Sequence, residues 1–487
     1  MKILSLIPQP LRRMLLLLML LRLAAVLVMG IMPQDAYYYF YAENPALSYF
    51  DHPPMVAWML WLFTSVLGSS IIAIHITDFV VTIFTALVVY ALAVRVLSHQ
   101  KAARVVVLFV STILASVVSI VTTPDVPLLL FWSLSLFFAH RAVTEDRLTD
   151  WLLTGLMMGA AFLSKYTAVF LPAGLFLFLL LQKEQRSRIL NYRFALVCIL
   201  FAVVASPVVI WNIQNDFISF RFQGGSRFNH MSLQLQNFFG TLGHQLFILV
   251  PVLFTALVVI AWKFLIKTIK RIRSVAANQL FLLCFFAPML IFFFSLSFII
   301  WIKINWMMPA YLSGIILAAT FITVKWIRVQ LVVSLVLHLL GFIFLATYPV
   351  AVKSDDTWWG WNQLNDNVQL LLKERPGYFV VAEDDYKTSA VLRYVSKQKV
   401  YAANVIGLPA LQFMIVDKDA PQQLKGKNAL FLDSNPQLND KPTSEETLAL
   451  LYRHFETVTP LPPILLKNKR GVLMRKFWVY ECKGYKP

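Results

Sequence analysis

For its first 350 residues the chain alternates long apolar runs with short basic clusters, and then that pattern stops. Crossing a hydrocarbon core takes roughly 20 predominantly apolar residues. Eleven stretches read as spans: 14–32, 71–94, 105–121, 126–143, 151–163, 166–181, 194–211, 246–262, 280–300, 306–324 and 329–350. The stretch 151–181 is interrupted by Ser164-Lys165-Tyr166 and reads either as one long helix or as two short ones meeting at the lysine. Charge decides between them, because basic residues collect on the cytoplasmic side of a membrane. With a break at Lys165, every basic cluster shares one side: Arg12/Arg13, Arg95/Lys101/Arg104, Arg141/Arg147, Lys183/Arg186/Arg188/Arg193, Lys263/Lys267/Lys270/Arg271/Arg273 and Lys325/Arg328. Without it the bias reverses for the rest of the chain. The break therefore places the N-terminus in the cytoplasm and everything after residue 350 outside. The first run has basic flanks but no small-residue cleavage site, and reads as a retained span.

From about Ala351 the texture is that of a soluble domain. Short runs at Tyr378 to Ala382, Val400 to Ala403, Ala429 to Leu432 and Arg475 to Tyr480 read as strands; Ser389 to Val395 and Ser444 to Phe455 read as helices. The fold class is thus an α-helical polytopic membrane protein of about eleven spans (residues 1–350) with a small extracytoplasmic α/β domain (351–487).

Composition agrees. Of 487 residues, 59% are hydrophobic and 14% charged, against about 25% charged in soluble proteins. The net charge of +18 lies in loops between apolar runs, which argues against a nucleic-acid partner. The three cysteines lack metal-ligand spacing and suggest no disulfide framework.

Polar chemistry gathers in the outer loops. The first contains Pro33-Gln34-Asp35-Ala36-Tyr37-Tyr38-Tyr39 and Asp51-His52-Pro53-Pro54, with no Lys or Arg between residues 33 and 70. Its aromatics suit an interfacial belt, but an acid at the membrane boundary without a basic neighbour is costly unless it has a task or a distant partner. In Thr122-Thr123-Pro124-Asp125-Val126-Pro127 two prolines fix a tight turn, and Asp125 serves either as a helix N-cap or as a held carboxylate. Lys165 lies in a helix break, tolerated in lipid only where the backbone lines a cavity or is buried in protein; it reads as an anion ligand or as a snorkelling side chain. Arg221 and Arg227 flank Gly224-Gly225 and suit a phosphate clamp or an ordinary solvated loop; Lys303 is a fourth outer cation. Arg22 and Asp78, both inside spans, are expected to pair with each other. Two acids, several cations and aromatic walls make a site for a sugar phosphate. No Walker loop, dinucleotide fingerprint, Ser/His/Asp set or zinc motif competes.

These motifs resemble the GT-C superfamily, specifically bacterial membrane glycosyltransferases akin to protein O-mannosyltransferases and the aminoarabinose lipid A transferase. Asp35-Ala36-Tyr37-Tyr38, Asp51-His52-Pro53-Pro54 with Trp58, Thr123-Pro124-Asp125, Leu163-Ser164-Lys165-Tyr166-Thr167 with Leu171-Pro172, and Asn305-Trp306 to Ala310-Tyr311-Leu312 carry the likeness. So do Ser206-Pro207 through Trp211-Asn212, Asp216, Ser219-Phe220-Arg221-Phe222-Gln223, and Leu424 to Leu430. One departure stands out: relatives often have Asp-Glu in the first loop where this chain has Asp35-Ala36, leaving the glutamate's function absent or supplied by Glu43.

The resemblance implies inverting transfer of a sugar from a polyprenyl-phosphate donor to a glycolipid or protein at the periplasmic face of the bacterial inner membrane. Asp35 would be the general base for a hydroxyl acceptor, with Asp125 the second catalytic acid. Lys165, Arg221, Arg227 and Lys303 would hold the departing phosphate, and Tyr37, Tyr38, Asp51, His52 and Asn305 would contact substrate. No cofactor is indicated, although a divalent metal is compatible. The rivals are a lipid-linked sugar flippase or transporter, which would normally show inverted repeats, and a receptor; no repeat is found, and the polar residues collect on one face.

Overall fold

A computed structural model describes residues 2–225, 232–271 and 275–487, with backbone alone for residues 2, 264, 265 and 267–271. Arg273, counted among the basic clusters, lies outside the described residues.

All eleven apolar runs are helical over most of their length. Among the described residues five helices are long and apolar enough to cross a membrane, or seven if each of two bent pairs is one span. Shorter apolar helices, Met55–Leu67, Leu148–Ser164, Tyr166–Leu181 and Met308–Ala318, pack among them. The chain is a multi-pass membrane protein. Two runs are less regular than predicted. The stretch 105–121 divides at Ser111 and Thr112, where the Thr112 hydroxyl accepts from Ala115 N and starts a new turn. The stretch 246–262 turns by 120° at Val250, whose φ is +67° and which precedes Pro251. The bend exposes the Leu253 N–H, which donates to Gln330 Oε1 at 3.1 Å.

The chain reverses direction at Lys165. Helix Asp125–Glu145 starts beside Lys165 and ends where Glu145 and Asp146 meet Arg95, Arg188 and Arg193. Helix Leu148–Ser164 returns from that basic end to Lys165, and the segment after Lys165 leads back to Arg188, which donates to Val143 O. The predicted pair of short spans is therefore what the backbone adopts. Lys165 itself is extended, with φ −159° and ψ 141°. Gly155 and Gly159 let helix Tyr192–Gln214 approach helix Leu148–Ser164 closely: a Cβ at Gly159 would come within 2.5 Å of Val204 Cβ. Small residues four apart bring membrane helices into van der Waals contact, and this contact holds the stem that carries Lys165.

After residue 350 a five-stranded sheet has the order β2-β1-β3-β5-β4. Its strands are β1 (Phe379–Glu383), β2 (Val400–Ala402), β3 (Ala429–Ser434), β4 (Phe455–Lys467) and β5 (Leu473–Tyr485). β1 runs parallel to β2 and β3, while β5 pairs antiparallel with β3 and β4. Four strands match the predicted runs. β4 was not anticipated, because Pro460, Pro462 and Pro463 interrupt its pattern; proline is tolerated on an edge strand, and β4 is one.

The sheet domain docks on the first polar loop, which folds into helix Pro33–Glu43. Phe413 stacks on Phe40 with ring centroids 4.4 Å apart, Arg393 lies over the Phe40 ring, and Gln412 Oε1 accepts from Phe50 N at 2.8 Å.

Candidate functional site

A cavity of about 950 Å³ lies where the membrane helices meet the sheet domain. Polar groups on its wall include Gln34, Tyr38, Asp51, His52, Lys165, Tyr166, Gln223, Lys303, Asn305 and Asp356.

One corner is built around Asp125, the first residue of helix Asp125–Glu145. Its carboxylate is not an N-cap; it makes no capping bond to the helix. Instead its two oxygens accept from Lys165 Nζ at 2.8 and 3.0 Å, and Asn305 Nδ2 donates to Oδ2 at 2.6 Å. Asp125 and Lys165 are both buried, so each charge relies on the other. An ammonium has three donors; with two directed at Asp125, one remains for the cavity that Lys165 lines. Three predicted site residues, far apart in sequence, thus converge.

Asp35 is placed differently. Neither it nor Asp125 is itself among the cavity-lining residues, but the partners differ. Its Oδ2 accepts from Met32 N at 2.9 Å and lies 3.0 Å from His75 Nε2, and its Oδ1 accepts from Thr122 N at 2.8 Å. The first of these is half of a capping-box pattern at the start of helix Pro33–Glu43. His75, absent from the sequence reading, lies at the start of the second turn of helix Ile71–Val96; only its polarity in an apolar run could have flagged it. By holding Thr122, Asp35 fixes the turn from which Asp125 projects. The pairing expected between Arg22 and Asp78 does not form. Arg22 Nε donates to Ser116 Oγ at 2.6 Å and its Nη2 to the carbonyls of Val110 and Thr112, while Asp78 Oδ2 accepts from Thr122 Oγ1 at 2.6 Å. Groups on the 110–116 segment meet Arg22, whereas Asp78 Oδ1 stays buried without a hydrogen-bond partner among the described residues.

The carboxylate that the first loop does present to the cavity is Asp51. Tyr37 donates to its Oδ1 at 2.9 Å, Tyr41 donates to the same oxygen, and Tyr37 accepts from Gln412 N at 3.1 Å. Burial pushes the Asp51 carboxyl above its ordinary range, opposed by the hydrogen bonds from Tyr41 and Tyr37 and by the charge of Lys303. Tyr38 lines the cavity, whereas Tyr37 stands behind Asp51. His52 Nε2 is 3.8 Å from Asp51 Oδ2. Glu43 is exposed and does not line the cavity.

Of the predicted cations, Lys165 and Lys303 line the cavity. Arg221 does not: it is exposed on helix Ile218–Gly224, whose Phe222 and Gln223 face the cavity instead. Successive helical residues point about 100° apart, so this helix turns Phe222 and Gln223, and not Arg221, to the cavity. Arg227 lies outside the described residues. The sequence reading also missed the contribution of the sheet domain, through Asp356, Trp358, Tyr386 and Leu411. Among the described residues no group of three or more His, Cys, Asp or Glu is arranged to hold a metal ion.

Residues 51–211 match the family described as dolichyl-phosphate-mannose-protein mannosyltransferase. A lipid A galacturonosyltransferase of Rhizobium johnstonii is 26% identical over 312 residues, 63% of this chain and 64% of that protein; the match spans a little under two thirds of the relative. In fold, the chain is similar to ArnT from Cupriavidus metallidurans in its undecaprenyl-phosphate-bound structure, with a TM-score of 0.62 at 13% identity, covering 96% of this chain and 97% of that one. An oligosaccharyltransferase of Archaeoglobus fulgidus gives a TM-score of 0.52 at 11% identity over 95% of this chain and 74% of that one. The resemblance read from the motifs holds in sequence and in fold.

Proposed function

Starting from the GT-C fold that this chain carries, we propose that it is a membrane glycosyltransferase moving a sugar from a polyprenyl-phosphate donor to a glycolipid such as lipid A. The reaction is placed at the periplasmic face of a bacterial inner membrane, with the N-terminus cytoplasmic and the sheet domain periplasmic. The observation that carries this reading is the Lys165–Asp125–Asn305 corner opening into a polar cavity at the edge of the membrane helices. The relative named for lipid A supports the acceptor class, and the relative bound to undecaprenyl phosphate supports the donor class.

The chemistry follows from charge development. As the bond between the anomeric carbon and the phosphate oxygen breaks, negative charge grows on the leaving phosphate. A cation held there stabilises the transition state more than the ground state, which is what raises turnover. Lys165, oriented by Asp125 and Asn305, fills that role, with Lys303 as the second cation. If the acceptor is a hydroxyl, a base must lie within hydrogen-bond reach of it. Asp51 is the first-loop carboxylate on the cavity wall, and its raised pKa suits a base. Asp35 then acts as a positioning residue through Thr122. The reaction as proposed draws on no cofactor.

The test is to incubate purified full-length protein with undecaprenyl-phosphate sugars and lipid A, and to follow the acceptor by mass spectrometry. A glycosylated acceptor with stoichiometric undecaprenyl phosphate is the expected result. Movement of intact lipid-linked sugar across vesicles, with no new glycosidic bond, would replace this reading with a transporter.

A further inference from the structure

One wall of the cavity belongs to the sheet domain, and its chemistry differs from that of the cationic corner. Asp356, half exposed at 44%, accepts from Gln34 Nε2 at 2.7 Å and lies 3.4 Å from Lys387 Nζ. Gln34 also lines the cavity, and its Oε1 is buried without a hydrogen-bond partner among the described residues. Beside them stands Tyr386, its ring 4.1 Å from that of Tyr37. The loop presenting it is tightly held: Thr388 N donates to both Asp384 carboxylate oxygens at 3.0 and 2.9 Å, Tyr386 N donates to Asp384 O at 2.8 Å, and Asp385 has a φ of +62°. A non-glycine residue keeps a left-handed conformation only where its surroundings over-determine it. Rigidly held groups recognise ligands more selectively than mobile ones.

This wall offers a carboxylate, an unsatisfied amide oxygen and an aromatic ring. Acceptor oxygens repel a phosphate and attract hydroxyl donors. We propose that Gln34, Asp356 and Tyr386 read the ring hydroxyls of the transferred sugar, so that donor selectivity resides in the sheet domain as well as in the membrane helices. The inference rests on the polyprenyl-phosphate reading above: a glycosyl group attached to a phosphate held at Lys165 would share one cavity with this wall.

The test is binding of lipids to purified full-length protein in nanodiscs. The probes are undecaprenyl phosphate without sugar and the same lipid carrying galactose, glucose or galacturonic acid. Asp356→Asn and Tyr386→Leu should leave affinity for the sugar-free lipid within about twofold, and weaken at least one sugar-bearing lipid by about tenfold, as loss of a hydrogen bond to a charged group does. Equal change for sugar-free and sugar-bearing lipids would mean that the wall only supports the fold and would overturn the inference. So would no change in either. Failure of the wild-type protein to bind any of these lipids would instead overturn the polyprenyl-phosphate reading, and the inference with it.

Discussion

Asp35 and Asp125 are both fully buried acids near the same face of the helix assembly, but their surroundings differ in kind. Asp125 is met by side chains, Lys165 and Asn305, both of which line the cavity. Asp35 is met by two backbone N–H groups, of Met32 and Thr122, and by the His75 ring. The first arrangement couples its charge to groups on the cavity wall; the second ties segments of chain together. Burial of an acid does not reveal which kind it is. The partners do.

The largest effect should follow from breaking the Asp125 corner. Lys165→Ala leaves a buried carboxylate without its counter-ion, a loss of about 3–5 kcal/mol in stability, and should lower turnover by roughly 100- to 1,000-fold. The pair Asp125→Leu with Lys165→Met should regain most of the lost stability, since apolar replacement of a buried ion pair is often neutral, while turnover stays low. Thermal melts beside transfer assays check both halves; turnover returning with stability would make the corner structural, like that of Asp35.

Asp51→Asn comes next, with roughly a 100-fold loss of turnover if Asp51 is the base. A base works only when deprotonated, and the Asp51 carboxyl is raised above 3.8 in the folded protein. Activity in the wild type should therefore fall as pH drops through that raised value, and rate profiles of Asp51→Asn should lack this acid limb.

Asp35→Asn should show the opposite balance to Lys165→Ala. An asparagine cannot accept at both oxygens, so one of the two N–H donors is left facing an NH₂ group, at about 1–3 kcal/mol. Turnover per folded molecule should fall by less than in Asp51→Asn. A larger fall without loss of melting temperature would move Asp35 into the chemistry. Smallest of all is Arg221→Ala, expected to alter donor affinity by less than about twofold, because surface substitutions away from special contacts change little.

Much of this is legible in the sequence. The reversal at Lys165 followed from the placement of arginines and lysines, because membranes sort charge by side. Asp125, Lys165 and Asn305 were each singled out, though nothing in the sequence says that they touch; their separations of 40 and 180 residues are bridged only by helix packing. Asp35 was selected for its charge without a basic neighbour, and its partners are mainly backbone groups that carry no sequence signal. Arg221 shows the limit of reasoning by segment, since one residue along a short helix decides which side chain meets the cavity. The wall formed by Asp356 and Tyr386 was invisible because it depends on how a second domain docks.

The proline-bearing strand at the border of the sheet has a consequence for the protein's life among other chains. An open sheet edge is a template on which a foreign strand can pair, leading to swapping or aggregation. Pro460, Pro462 and Pro463 remove three backbone donors from β4, the strand at one end of the sheet. Where such a proline faces outward, an arriving chain finds no N–H to accept from, and pairing along this edge is interrupted there. The feature that hid β4 from prediction is thus one that helps to keep the sheet at five strands.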